Sequence, residues 1–376
     1  MTILTIVLLL VVLGALGLHL YNVYMVADRL SYPPETVAPQ DMPPVTLLRP
    51  VCGLEYALER NLESAFQQDT PGYELIHCVD DPDDAAIPVL RHLMETYPHV
   101  NARLLIGRNP VCGNPKLNNL VKGWAECTGD WVVIADSNLL LPPDYLRQVL
   151  ACRGPGVGMV SSPGVGMDAH NFWARVEAAF LNSFQARWLL GADSIGIGFA
   201  QGKTLAYPRA WLSDRGGMMA LAGKKAEDIA STHLVRGEGL RVRTVRRPFA
   251  QLLGPRTAGE VWNRQARWAQ LRREGFPAIY PLEPLGGPVA NVLILAFAWP
   301  AAILPFLLLW YGGEWYLARR AGWGHGAADL LAWIMRDLWQ VPMWAMGWRD
   351  APIVWRGNAV TETPGGGGAQ GGKGQD

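Results

Sequence analysis

Between residues 45 and 139, short apolar runs alternate with amphipathic stretches, and this alternation narrows the possible folds more than any other feature of the chain. Strand-like runs cover residues 45–49, 73–79, 102–106 and 131–135, with helical patterns over 56–68, 87–97 and 115–126 between them. Strands separated by helices predict a parallel, Rossmann-like α/β sheet. The fourth run, Trp131-Val132-Val133-Ile134-Ala135, is apolar throughout, as a central strand buried on both faces must be. It leads straight into Asp136-Ser137-Asn138. Open α/β sheets bind ligands outside the carboxyl ends of their strands, so Asp136 stands where a phosphate-bound metal would sit. Taken alone, it reads equally well as the cap of a turn. No GxGxxG or Walker A sequence accompanies the strands, so dinucleotide and ATP readings lack their glycine loops.

Two further acidic groups punctuate this body. Asp80-Asp81-Pro82-Asp83-Asp84 follows the second strand, and Glu227-Asp228 opens a helical stretch over 229–236. Each has an ordinary explanation: a charge run is usually a solvated loop, and acids at a helix start complement its dipole. Together with Asp136 they form an ordered set in one α/β body, which is harder to assign to surface chemistry. Downstream lie Arg264-Gln265-Ala266-Arg267-Trp268 and Arg272-Arg273. These fit an amphipathic interface helix, and they equally fit guanidinium groups that pair with pyrophosphate oxygens.

The ends of the chain differ from the middle. Residues 2–27 contain no Asp, Glu, Lys or Arg, and 26 such residues exceed the roughly 20 that span a bilayer. Without a basic leading region or a small-x-small cleavage site, the segment reads as a signal anchor. Residues 31–44 include Pro33, Pro34, Pro39, Pro43 and Pro44, as in a stiff spacer. Residues 288–313 are again free of charge but broken by Pro300 and Pro305, so they form one span or a short hairpin. Arg319 and Arg320 follow directly and favour the hairpin. Residues 329–348 are rich in Trp and Met with an internal Arg336-Asp337 pair, which places them in the interface or against the hairpin.

These boundaries give a transmembrane anchor (1–27), a Pro-rich linker (28–44), a catalytic domain (45–284), membrane and interfacial helices (285–357) and a disordered Gly-rich tail (358–376). Lys+Arg and Asp+Glu both total 33, so no net field attracts nucleic acid. Cys52, Cys78, Cys112, Cys127 and Cys152 show no CxxC pair or His spacing, which fits reduced thiols in a cytosolic body.

The order acid cluster, strand-Asp-Ser, Glu-Asp, RxxRW, with flanking membrane segments, resembles the D, D, D, (Q/R)xxRW pattern of inverting membrane glycosyltransferases with a GT-A fold. Among these the chain is similar to the ceramide glucosyltransferase family. The likeness extends to Leu47-Leu48-Arg49-Pro50 with Gly53, Asn61-Leu62-Glu63, Cys78-Val79, Ala102-Arg103-Leu104 and Gly113-Asn114-Pro115-Lys116-Leu117-Asn118-Asn119-Leu120. It continues through Ala332-Trp333, Arg336 and Trp355-Arg356. Asp136-Ser137-Asn138 departs from the family's usual Asp-Ser-Gly, and the loop 196–203 differs from animal members, which carry a Cys near Phe199. Those departures bear on the acceptor, because bacterial enzymes that glycosylate hopanoid lipids look similar here.

The resemblance implies transfer of glucose from UDP-glucose to the hydroxyl of a ceramide-like membrane lipid, with inversion. The alternatives are a hopanoid or other lipid acceptor, UDP-N-acetylglucosamine as donor, or a non-catalytic membrane scaffold. It implies Mg²⁺ or Mn²⁺ at Asp136, Asp84 or Asp83 near the nucleotide, and Lys116 and Asn118 contacting the nucleotide or orienting Asp136. Asp228 matches the family's base, with Glu227 beside it. Arg267 and Trp268, supported by Arg264 and Gln265, would stabilise the leaving group and shape the acceptor entrance. The expected setting is a multi-pass protein of a bacterial inner membrane with its catalytic domain in the cytosol.

Overall fold

The computed structural model describes residues 2–349 except Lys224, together with the backbone of 353–355 and 358–360. The tail expected over 358–376 lies outside the described residues beyond Val360.

The body opens with β1 (Val45–Val51), α2 (Leu58–Glu63), β2 (Glu74–Val79), α3 (Ala86–Thr96), β3 (Asn101–Ile106), α4 (Pro115–Glu126) and β4 (Trp131–Ala135), preceded by α1 (Ile3–Arg29). It continues through β5 (Leu139–Leu140), α5 (Tyr145–Ala151), β6 (Val157–Ser162), β7 (Gly164–Ala169), α6 (Phe172–Ala179), a π-helical segment (Phe180–Ala186) and α7 (Arg187–Ser194). Then come β8 (Thr204–Pro208), α8 (Arg209–Ser213), α9 (Glu227–Gly237), β9 (Arg241–Thr244), β10 (Phe249–Gly254) and α10 (Ala258–Gly275). The C-terminal helices are α11 (Pro288–Ala298), α12 (Ile303–Ala321) and α13 (Ala327–Met346).

Seven strands form one sheet in the order β3-β2-β1-β4-β8-β6-β9, and β5-β10-β7 form a second, smaller one. The first four strands are parallel, as the alternation predicts, but β8 runs antiparallel to both β4 and β6, so the sheet is mixed. Along each strand, successive side chains alternate between faces. Leu47, Leu75, Val133 and Ala135 pack toward α2, α3 and α5, whereas Leu48, Ile76, Val132 and Ile134 meet Leu117 and Leu120 of α4 and Ala230 of α9. Both faces are covered, which is why β4 reads as an unbroken apolar run.

α1 is a single helix of 27 residues, about 40 Å long at 1.5 Å per residue. Among the described residues it is the one helix long and apolar enough to cross a membrane. Ile3, Leu4, Leu10 and Leu13 are exposed on its first half, while His19, Asn22, Val23 and Val26 are buried in the protein. α11 has 11 residues, about 16 Å, too short to span the ~30 Å hydrocarbon layer. It turns at Trp299–Ala302 into α12, and Leu295, Phe306 and Trp310 cluster with Val12 of α1. Farther along, Leu317 and Ala318 cluster with Val23, Val26 and Ala27. α12 therefore runs beside α1 in the same direction and α11 runs against it. The pair is a hairpin packed along α1.

A buried ionic cluster joins these helices to the body. The Arg336 guanidinium pairs with Glu314 of α12 at 2.9 Å and with its neighbour Asp337 at 2.8 Å, and donates to Ser183 of the π-helical segment. Nearby, buried Arg187 donates to Asn22 of α1 at 3.2 Å. Removing one partner of a buried ion pair leaves the others uncompensated, at a cost of about 3–5 kcal/mol. Arg336→Met is expected to lower the melting temperature of the solubilised protein sharply, and an unchanged melt would show that the cluster contributes nothing to stability.

The linker residues are tied to the body. Val37 donates its N–H to Arg147 O at 3.2 Å, Arg247 donates to Tyr32 O at 3.0 Å, and Arg246 pairs with Glu35.

Candidate active site

Four of the expected residues meet in one cluster at the carboxyl end of β4. Register explains how. Ala135 lies opposite Thr204 in the antiparallel β4–β8 pair, so the next residues, Asp136 and Lys203, are neighbours, and Asp136 N–H donates to Lys203 O at 3.1 Å. Arg49, fully buried, braces the turn after β4 by donating to Asp136 O at 2.8 Å and Leu139 O at 3.1 Å.

Lys116 enters from the first turn of α4. That helix begins where the sequence says it should, because Asn114 accepts the N–H groups of Lys116 (3.0 Å) and Leu117 (3.2 Å) and Pro115 occupies the first helical position. The Lys116 ammonium touches three oxygens: Asp136 Oδ1 at 2.7 Å, Glu227 Oε1 at 2.6 Å and Gly202 O at 2.8 Å. Asp136 Oδ2 takes a second ammonium, from Lys203 at 3.0 Å, which also donates to Asn138 Oδ1 at 3.1 Å.

Glu227 and Asp228 occupy the first turn of α9, where the helix dipole favours negative charge. Asp228 accepts from Gly202 N–H at 2.8 Å and from its neighbour Ile229 N–H at 2.8 Å. A Cβ at position 202 would stand 2.9 Å from Glu227 Oε1 and 3.4 Å from both Asp228 Oδ2 and Lys116 Nζ, so glycine lets these three groups close around the backbone.

The environment separates the two aspartates. Burial opposes ionisation of Asp136, but the Lys116 and Lys203 ammoniums outweigh it and hold the carboxyl down at about 2. Asp228 goes the other way: burial, then the Glu227 charge, push it up to about 6. One carboxylate is thus kept ionised, while the other is made more basic and still loses its proton near neutrality. Carboxylates whose surroundings push them apart in this way mark a candidate functional site. Burial opposes the charge of Lys116, but Asp136 and Glu227 keep it protonated, with its affinity for the proton raised.

The other expected residues fall around this cluster. Asp84 accepts from Gly53 N–H at 2.7 Å and Ala86 N–H at 2.8 Å, fixing the loop after β2, while Asp83 is exposed. Asn118 is turned onto the loop before α4, accepting from Cys112 N–H at 2.9 Å and donating to Cys112 O at 3.0 Å. On α10, a capping box between Thr257 and Glu260 sets the start of the helix. Arg264 pairs with Glu177 of α6, which is fully buried and also holds Arg256 at 3.2 Å. Arg267 is held less firmly protonated than usual by burial and then by Arg264. Trp268 packs against the cluster of Ala174, Leu181 and Leu253.

Gln265 is linked to the cluster by a relay absent from the sequence reading. Its Oε1 accepts from Gln185 of the π-helical segment at 3.0 Å, and Gln185 Oε1 accepts from Gln201 at 3.0 Å, one residue before Gly202. Lys203, Gln201, Gln185 and Glu177 are the site neighbours that sequence reasoning missed. None belongs to a local motif, and only the flagged loop 196–203 pointed toward the first two.

A mixed seven-stranded sheet with an aspartate at the end of its central strand and a second small sheet beside it defines a GT-A glycosyltransferase. The chain belongs to glycosyl transferase family 21, whose description matches residues 5–367. It is similar to ceramide glucosyltransferase 1 of Caenorhabditis elegans, with 28% identity over 279 residues, covering 74% of this chain and 59% of that one. It also resembles the ceramide glucosyltransferase of Komagataella phaffii, 39% identical over 123 residues, 32% of this chain and 24% of that one. The chain thus spans about three fifths of the length of the nematode relative. Among solved structures, a mannosyltransferase from Pyrobaculum calidifontis in complex with GDP-Man and Mn²⁺ shares the fold, with a TM-score of 0.53 and 22% identity, over 89% of this chain and 98% of that one.

Proposed function

We propose that the protein transfers glucose from UDP-glucose to the hydroxyl of a ceramide-like lipid at a membrane surface, inverting the anomeric centre. The observation that carries this reading is the cluster itself: Lys116, Asp136 and the Glu227-Asp228 pair, from three separate stretches of sequence, converge beside Gly202 in a family 21 chain.

In this reading Asp228 is the general base. Its raised proton affinity lets it accept the lipid hydroxyl's proton as that oxygen attacks the sugar. Lys116, with Glu227, positions Asp136 and adds positive charge beside the diphosphate. Arg267 and Trp268 line the side of the leaving group and acceptor, with Gln265 held by its relay and Arg264 by Glu177. Asp83 and Asp84 belong to the nucleotide side, Asp84 through the loop it fixes, and Asn118 acts by holding the loop before α4.

The donor set at the strand end, one carboxylate and one amide oxygen, is hard-oxygen chemistry. Among the described residues no three His, Cys, Asp or Glu side chains gather as a metal cage. The carboxylate and amide oxygens suit Mg²⁺ or Mn²⁺, which take one or two protein oxygens and complete their shell with phosphate and water, although both Asp136 oxygens here lie against the Lys116 and Lys203 ammoniums. Asp136 would hold the ion, which when bound neutralises the departing diphosphate.

α1 and the α11–α12 hairpin supply membrane attachment. Arg29, Arg319 and Arg320 lie at the ends of α1 and α12 that meet the body, and the preference of Lys and Arg for the cytosolic flank supports a body on the cytosolic side.

Because Asp228 must be ionised to act, transfer is expected to fall as pH drops through about 6. A rate-pH profile that stays flat down to pH 4.5 would remove Asp228 as the base. The reading itself is tested by incubating membranes carrying the protein with labelled UDP-glucose or UDP-N-acetylglucosamine and with ceramide or a hopanoid. Label is expected in a glucosylceramide. Label confined to a hopanoid product, or absent from lipid, would overturn it.

A further inference from the structure

The most unusual group at the site is one that no motif marks. Lys203 sits immediately before β8, with its side chain 11% exposed. Its ammonium is 3.0 Å from Asp136 Oδ2 and 3.1 Å from Asn138 Oδ1. Both are side-chain oxygens at the strand end that a cation could use. Asp136 Oδ1 is already taken by Lys116 at 2.7 Å. A divalent ion and the Lys203 ammonium therefore compete for the same oxygens. The register fixes Lys203 there, because Asp136 N–H bonds to its own backbone carbonyl at 3.1 Å. The stem is held too, with Gly164 leaving room beside its Cγ.

We propose that Lys203 is a latch that occupies the cation position of the free enzyme and gives it up only when a nucleotide diphosphate arrives. The inference rests on the proposed metal-assisted transfer. Lysine suits the task, since its compact charge rides on a flexible four-carbon stem. With the diphosphate absent, a divalent ion gains only a carboxylate already neutralised by two ammoniums, and must displace one of them. With the diphosphate present, the ammonium has a new anionic partner and the ion gains phosphate oxygens. Metal and donor then bind as a unit, and the free enzyme does not collect divalent ions. Asn138, the departure noted in the sequence, supplies the second oxygen that holds the latch closed.

The test is Mn²⁺ binding to the full-length, detergent-solubilised protein, read by calorimetry or by the electron paramagnetic resonance of free Mn²⁺, with and without UDP. The unaltered protein is expected to bind Mn²⁺ weakly alone and tightly with UDP. Lys203→Met removes the charge and keeps the stem. It is expected to bind Mn²⁺ without UDP roughly tenfold more tightly than the unaltered protein, a shift equivalent to about 1.4 kcal/mol. Lys203→Gln, which retains a donor for Asn138, is read in parallel and is expected to shift in the same direction, so that a poorly folded methionine variant leaves the outcome decidable. If neither variant changes Mn²⁺ affinity without UDP, while UDP-dependent binding is present and lost in Asp136→Ala, the latch is wrong and the metal reading stands. If UDP-dependent Mn²⁺ binding survives in Asp136→Ala, the metal reading fails and the latch with it.

Discussion

Asp228→Asn is expected to cut the transfer rate by about 10²–10⁴-fold, the range lost when a positioned general base is removed. UDP-glucose binding should persist, because the donor's diphosphate is assigned to the Asp136 side of the cluster. The geometry makes the substitution informative. Asp228 accepts from two backbone N–H groups, Gly202 and Ile229. An amide can satisfy one of them but must turn its own NH₂ toward the other, a local cost of about 1–3 kcal/mol. Melting temperature is therefore measured beside kcat. A folded variant that binds UDP-glucose and turns over normally would remove Asp228 from the chemistry.

Lys116→Met is expected to have the second largest effect, and on two observables. The ammonium serves Asp136, Glu227 and Gly202 O at once, all within 2.8 Å. Its loss leaves two largely buried carboxylates short of a partner, a destabilisation of about 3–5 kcal/mol. It also removes a positive charge that lowers the proton affinity of Asp228, so the acid limb of the rate-pH profile should move to higher pH. Lys116→Arg is not expected to rescue, since a planar fork cannot place one nitrogen among three convergent oxygens. A variant that melts and titrates like the unaltered protein would show that Lys116 is peripheral.

What could be read from the sequence, and what could not, divides along the distance over which residues cooperate. β4, α4 and the placing of Asp136 at a strand end were legible because each is encoded within about a dozen residues: an apolar run, an Asn-Pro cap, an acid. Asp228 was legible only through an ordered family pattern, since Glu227-Asp228 alone is indistinguishable from ordinary capping. The antiparallel β8 was not legible. It follows the α6–α7 excursion, and nothing local in residues 204–208 says which neighbours it pairs with. Lys203 was hidden for the same reason, because only the β4–β8 register brings it to Asp136. Arg264 and Gln265 were found in sequence, but their partners Glu177 and Gln185 lie about 80 residues earlier, on α6 and the π-helical segment. The hairpin was half legible: Pro300 and Pro305 broke the apolar run, and packing of Phe306 and Trp310 on Val12 then set its direction.

The most direct test of the assignment is the anomeric configuration of the purified lipid product, read from the proton spectrum of its sugar after reaction with UDP-glucose and ceramide. A single base opposite the leaving diphosphate inverts the α-linked donor, so a β-linked glucosylceramide is expected. An α-linked product, or free glucose with no glycolipid, would contradict the account.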